Sequence, residues 1–179
     1  MKLSETPIPG AYLVEYEPFT DDRGWFARTY DRDELARLGL DPAVVQCSTS
    51  FNTRAGTLRG MHWQEQPHGE VKHVRCTRGA IFDVMVDMRP DSPAYCRWYG
   101  VELTPDNGRA FYIPVDVAHG FQTLVDGSEV SYLISHEYAP DAARGVRFDD
   151  PAFRIEWPEP PDGERHMSER DRTYPDFEP

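Results

Sequence analysis

Short stretches in which apolar and polar residues alternate recur along most of the chain, and their two-residue period assigns them to strands with one buried face. They run over 11–16 (AYLVEY), 44–51 (VVQCSTSF), 71–77 (VKHVRCT), 80–88 (AIFDVMVDM), 96–103 (CRWYGVEL), 109–114 (RAFYIP), 120–125 (GFQTLV) and 129–135 (EVSYLIS). Turn signals separate them: Arg78-Gly79, Asp91-Ser92-Pro93, Pro105-Asp106-Asn107-Gly108 and Asp126-Gly127. Strands so short and so regularly punctuated predict an all-β sandwich or barrel. One helix is expected over 31–40 (DRDELARLGL), with acidic residues in its first turn and Gly39 near its end, and SERDR at 168–172 predicts one more turn. From about Pro151 onward proline and charge dominate, and a loosely packed strap over the barrel is expected.

Composition narrows the class. A chain of 179 residues that is 39% hydrophobic can bury one sizeable core, so a single domain over 1–179 is expected, ending in the strap. A net charge of −12 leaves no basic face for nucleic acid or an anionic membrane, although clustered arginines can still hold a small anion. The N-terminal residues contain no apolar run of signal-peptide length and no segment approaches a membrane span, so a cytoplasmic location is expected. Cys47, Cys76 and Cys96 are odd in number and lack a CxxC pair, and are read as buried free thiols.

The chemistry concentrates in GTLRGMHWQEQPHGEVKHVRC at 56–76, which holds three of the six histidines and one of only two lysines. A strict two-residue period puts Leu58, Gly60, His62 and Gln64 on one face, with Arg59, Met61 and Trp63 on the other. Lys72 stands out in a chain that uses arginine for 17 of its 19 basic residues: a compact ammonium suits a localised oxyanion, whereas a charge guarding a sheet edge is the competing explanation. His119 is placed where a loop re-enters the barrel, and Tyr132 and Tyr138 are candidates that core packing alone also explains. A metal centre built from His62, His68, Glu70, His73 and His119 is weighed against this, but its ligands lack the i, i+2 spacing of one strand face, since position 64 is glutamine. No GxGxxG or P-loop pattern signals a nucleotide cofactor.

Six ordered stretches, DDRGWF (21–26), GTLRGMHWQ (56–64), VKHVRCTRGAIFDVMVDMRPDSP (71–93), IPVDVAHGFQTL (113–124), YLISHEYAP (132–140) and MSERD (167–171), together resemble the dTDP-4-dehydrorhamnose 3,5-epimerase family. The resemblance implies a cupin-type double-sheet jelly roll and a homodimeric enzyme needing neither metal nor cofactor. Its implied substrate is a nucleotide-diphosphate sugar, a 4-keto-6-deoxyhexose inverted at C3 and C5. It further implies His62 as base, Asp171 as the carboxylate orienting it, Lys72 beside the enolate oxygen and Tyr132 as acid on the opposite face. Arg59 and His119 would line the site, Arg23 and Phe26 would meet the nucleotide across a dimer interface, and Tyr138 would lie near the base. Two departures touch the nucleotide: Arg28 stands where the family pattern has an acidic residue, and the family's Gln-x-Asn-x-Ser run appears as Gln46-Cys47-Ser48-Thr49-Ser50. A donor at position 28 favours cytosine over thymine, so a CDP-linked sugar and a C3-only inversion stand as alternatives. Outside this class the alternatives are a metal-dependent cupin dioxygenase and a silent sugar-binding cupin.

Overall fold

The alternating stretches fold into two antiparallel sheets packed face to face. In the computed structural model, which describes all 179 residues, the strands are β1 (Lys2–Glu5), β2 (Tyr12–Glu15), β3 (Phe19–Asp21), β4 (Gly24–Phe26), β5 (Gln46–Asn52), β6 (Leu58–Gln64), β7 (Lys72–Arg78), β8 (Ile81–Asp87), β9 (Trp98–Leu103), β10 (Arg109–Ile113), β11 (Val117–Thr123), β12 (Ser128–Ile134) and β13 (Ala143–Gly145). One sheet has the order β1-β2-β10-β7-β12-β5, the other β13-β6-β11-β8-β9, and β3 and β4 form a separate hairpin. This is a double-sheet jelly roll of the cupin type, as expected.

The core lies between the sheets because each strand turns its apolar alternates inward. Val74, Phe111 and Val130 from the six-stranded sheet meet Ile81, Met85 and Phe121 from the five-stranded sheet. Burying each phenylalanine stabilises the sandwich by about 2–3 kcal/mol. The outer face of the larger sheet is partly covered by α1 (Arg32–Arg37), which contributes a single buried residue, Leu35. Asp31 caps this helix by accepting the N–H groups of Asp33 and Glu34. The helix is shorter than the predicted 31–40: Gly39, at φ +75°, reverses the chain, so that its own N–H reaches Ala36 O and that of Leu40 reaches Leu35 O.

Other expectations are corrected. The segment beyond Pro151 is no loose strap, since Phe153 is buried with Val84, Val86 and Met61, and Trp157 and Phe177 pack on the same cluster. An apolar face left on the smaller sheet is what holds it down. Of the three cysteines only Cys76 is buried; Cys47 is exposed on edge strand β5 and Cys96 lies half-buried in a turn before β9. His119 belongs to β11 itself rather than to a loop. Lys72 guards no edge, because β7 runs between β10 and β12. No helix is long and apolar enough to cross a membrane.

Strand β6 departs from strict alternation. Opposite β11, His62 pairs with His119 but Arg59 pairs with Phe121, so Gly60 and Met61 together face Gly120 alone. Such a bulge turns the strand and re-aims its side chains. Two glycines permit it: a Cβ on Gly60 would stand 2.5 Å from Gly120 Cα, and one on Gly120 would stand 2.6 Å from Met61 Sδ. Arg59 and His62, expected on opposite faces, consequently line the same cavity, while Met61 packs outward.

Candidate active site

The cavity, of about 650 Å³, opens between the two sheets and is closed on one side by the C-terminal segment. Strand β6 supplies Arg59 and His62, β7 supplies Lys72, β11 His119, β12 Tyr132 and β5 Ser48 and Ser50, while Ser168, Arg170 and Asp171 arrive from the tail. A cavity holding two arginines, a lysine and histidines is a local cationic site in an acidic protein. It suits an anionic ligand.

Asp171 sits in α2 (Glu169–Arg172), whose N-cap Ser168 accepts the Asp171 N–H. Its carboxylate Oδ1 lies 2.7 Å from His62 Nε2, and Oδ2 accepts the Gly60 N–H at 3.4 Å. Burial works to raise this carboxyl, but the His62 bond and charge, with the Gly60 and Ser168 bonds, outweigh it and hold the group below the usual carboxylate range. An ionised carboxylate only accepts hydrogen bonds, so Nε2 of the neutral ring carries the proton and Nδ1 keeps the lone pair.

Lys72 reaches across from the other sheet. Its ammonium donates to His62 O at 3.1 Å and pairs with Glu70 at 3.0 Å, although the residue is only 8% exposed. Behind the cavity wall, His119 Nε2 lies 2.8 Å from Asp83 Oδ1. Burial pushes the Asp83 carboxyl up, against the opposing pull of His119 and Lys72, and its Oδ2 has no partner. The Tyr132 hydroxyl is driven well above its ordinary pKa by burial and by the Asp83 charge, with Arg59 opposing, so it stays protonated at neutral pH. The site therefore holds a histidine with a free nitrogen, a fixed ammonium and a protonated phenol. These are the parts for removing a carbon-bound proton, stabilising the resulting oxyanion and returning a proton.

The sequence profile of the dTDP-4-dehydrorhamnose 3,5-epimerase family matches residues 5–179. The chain belongs to this family. It is 40% identical over 171 residues to the dTDP-4-dehydrorhamnose 3,5-epimerase of Methanothermobacter thermautotrophicus, covering 95% of this chain and 91% of that protein. The crystal structure of the Elizabethkingia anophelis dTDP-4-dehydrorhamnose 3,5-epimerase matches with a TM-score of 0.94 at 35% identity, over 99% of this chain and 96% of that one. That of the Bacillus anthracis enzyme, with TDP and pyrophosphate bound, matches with a TM-score of 0.92 at 38% identity, over 98% and 99%.

Of the residues singled out through the epimerase resemblance, His62, Lys72, Tyr132, Asp171, Arg59 and His119 come together in the cavity. The others do not line it within this chain. Arg23 and Phe26 lie on the β3–β4 hairpin, Arg23 paired with Asp21 and Phe26 73% exposed. Arg28 pairs at 2.9 Å with Asp31, the α1 cap. Gln46 lies exposed at the start of β5, and Tyr138 is exposed in the loop after β12. The weighed metal ligands disperse: His73 is buried against Tyr30 on the outer side of the larger sheet, and His68 sits in an exposed loop against His136. Gln64 is a buried staple, donating to His68 O and Glu137 O and accepting the Ala139 N–H.

Several partners escaped the sequence reading. Asp83 sat inside an apolar strand run, and its only signal was that an acid at an inward alternate of AIFDVMVDM demands a partner. Glu70 stood only among the candidate metal ligands, and its role as the partner of Lys72 went unread. Asn52 holds the Arg59 head by accepting its Nε–H at 2.8 Å, while donating to Ser50 O and Ser128 O.

Proposed function

We propose that this protein inverts C3 and C5 of a dTDP-linked 4-keto-6-deoxyhexose through an enolate. The observation that carries the reading is the pairing of His62 on β6 with Asp171 of α2 at 2.7 Å, facing the cavity that the Lys72 ammonium enters from the other sheet. The C4 ketone acidifies the protons on C3 and C5. His62 Nδ1 takes one of them, Asp171 supports the imidazolium that forms, and the Lys72 ammonium stabilises the charge gathering on the C4 oxygen. The Tyr132 phenol then delivers a proton to the opposite face of the carbon, and solvent restores both groups to their starting protonation. Arg59 and Arg170 are the cations suited to the diphosphate.

The TDP bound to the Bacillus anthracis relative supports a thymidine nucleotide. The Arg28–Asp31 pair supports the same choice, since that guanidinium is engaged with the helix cap. A homodimer completes the reading: the β3–β4 hairpin pairs with no other strand, and Phe19, Trp25 and Phe26 on it are 74%, 59% and 73% exposed. Such a patch asks for cover by a second copy, which would bring Arg23 and Phe26 to the partner's nucleotide.

The test is incubation with dTDP-4-keto-6-deoxyglucose, and separately its CDP analogue, in deuterated water, followed by NMR. Deuterium entering both C3 and C5 with the dTDP sugar is the expected result. Label at C3 alone makes the enzyme a single-centre epimerase, turnover only with CDP reverses the nucleotide assignment, and no label in either removes the proposal. Light scattering reads the dimer, and a monomeric mass would remove that part.

A further inference from the structure

Asp171 rides on a helix of four residues, too short to hold its own position. Its placement therefore depends on what ties down the chain on either side. Upstream, His166 bridges to the start of β6, its N–H reaching Gly56 O and its carbonyl accepting the Leu58 N–H, both at 3.0 Å. Downstream the anchor is Tyr174, three residues after Asp171. Its ring lies directly on Gly145 of β13, so closely that a Cβ there would stand 2.3 Å from Cζ and 2.5 Å from the hydroxyl oxygen. Gly145 in turn is the residue opposite His62 in the β13–β6 ladder. The same ring stands edge-on to the His62 imidazole, with centroids 6.4 Å apart, and its hydroxyl accepts the Arg170 Nε–H at 2.6 Å. One aromatic ring thus touches the strand beside the base and fastens the helix that carries its carboxylate.

We propose that the Tyr174–Gly145 contact is the latch that sets Asp171 against His62, making both positioning residues for the proton-transfer dyad. Their effect on turnover rests on the epimerase reading above. Gly145 is not in the left-handed region, so alanine there meets no backbone strain, only the ring. A ring at the end of a flexible side chain can swing away. The latch then opens while the sheet stays paired.

The experiment compares Gly145→Ala and Tyr174→Ala with the wild-type protein, each also in an Asp171→Asn background, by kcat and KM in the deuterium-exchange assay and by hydrogen–deuterium exchange of backbone amides over 166–174. Gly145→Ala and Tyr174→Ala are expected to lower kcat by about 10- to 100-fold, as a misplacement near 1 Å does, with a smaller rise in KM because Arg170 loses its Tyr174 partner. In the Asp171→Asn background they are expected to cost less than about twofold more, because groups acting through one carboxylate are not additive. Amide exchange over 166–174 should quicken in both single variants, and Tyr174→Phe, which keeps the ring, should retain most of the wild-type protection. Near-wild-type kcat in both single variants, or the same fold-loss with and without Asp171, overturns the latch. Should the wild-type protein show no exchange on the sugar, the epimerase reading fails instead. The amide measurement then decides the latch on its own, unchanged protection in Gly145→Ala overturning it.

Discussion

Replacing Asp171 by asparagine preserves shape and removes two things at once. The carboxylate accepts on both oxygens, from His62 Nε2 at 2.7 Å and from the Gly60 N–H at 3.4 Å. An amide has one acceptor oxygen, so its NH2 must face one of two donors. If the NH2 faces the ring, the imidazole proton moves to Nδ1 and the basic nitrogen is spent on accepting the amide's N–H; with the active arrangement cut to about one molecule in ten, this costs about tenfold in rate. The second loss is charge. A full imidazolium about 4 Å from a carboxylate gains about 4 kcal/mol at an effective dielectric near 20. The His62 side chain is 38% exposed, and the proton is only partly transferred at the transition state, so about half of that remains. About 2 kcal/mol is roughly 30-fold in rate, and with the tautomer loss kcat should fall by about 100- to 1000-fold. The measurement is kcat and KM from initial rates of deuterium incorporation, beside His62→Ala, which should lose more because no proton acceptor remains. A loss under about fivefold would refute the orienting role, and a loss exceeding that of His62→Ala would move the base role to Asp171.

Lys72→Arg keeps the charge but not its compact shape, and should lower kcat by about 100-fold; an active arginine variant would show that charge alone suffices at this position. Tyr132→Phe should still exchange the proton that His62 removes while product formation falls by at least about tenfold, a split that NMR reads as deuterium retained in uninverted sugar. His73, buried and unpartnered at Nε2, is pushed down from 6.5 to about 4 by burial and by Arg75. The unfolded chain takes up a proton there below pH of about 6.5 and the folded chain does not until about 4, so stability is complete above that window and declines as pH falls through it. At pH 5 the penalty is about 2 kcal/mol, and urea melts at pH 7 and pH 5 should show a smaller drop by about that amount in His73→Leu. An identical drop in both proteins would show that His73 does not drive it.

Much of this molecule was legible in the sequence because strands write their buried face as a local period. Val74 and Cys76 on β7 and Val130 and Tyr132 on β12 point inward as their alternation required. Gly39 ended α1 for the local reason that only a left-handed residue closes that helix so tightly. His62 and Lys72 were found because rare residue types were spent close together, and the family's ordered motifs drew in Asp171 from 109 positions away. Tertiary structure decided the rest. Alternation alone placed Arg59 and His62 on opposite faces, and a bulge that exists only because Gly60 meets Gly120 across the sheet brought both into one cavity. The tail looked loose because proline and charge conceal how few apolar residues are needed to pin it; Phe153, Trp157 and Phe177 find their cover on a sheet face no local pattern reveals. Asp83 lay in an apolar run, and its partner His119 comes from another strand. Periodicity says which way a side chain points, but what it meets there depends on register between strands distant in sequence, and register is set by the packing of the whole core.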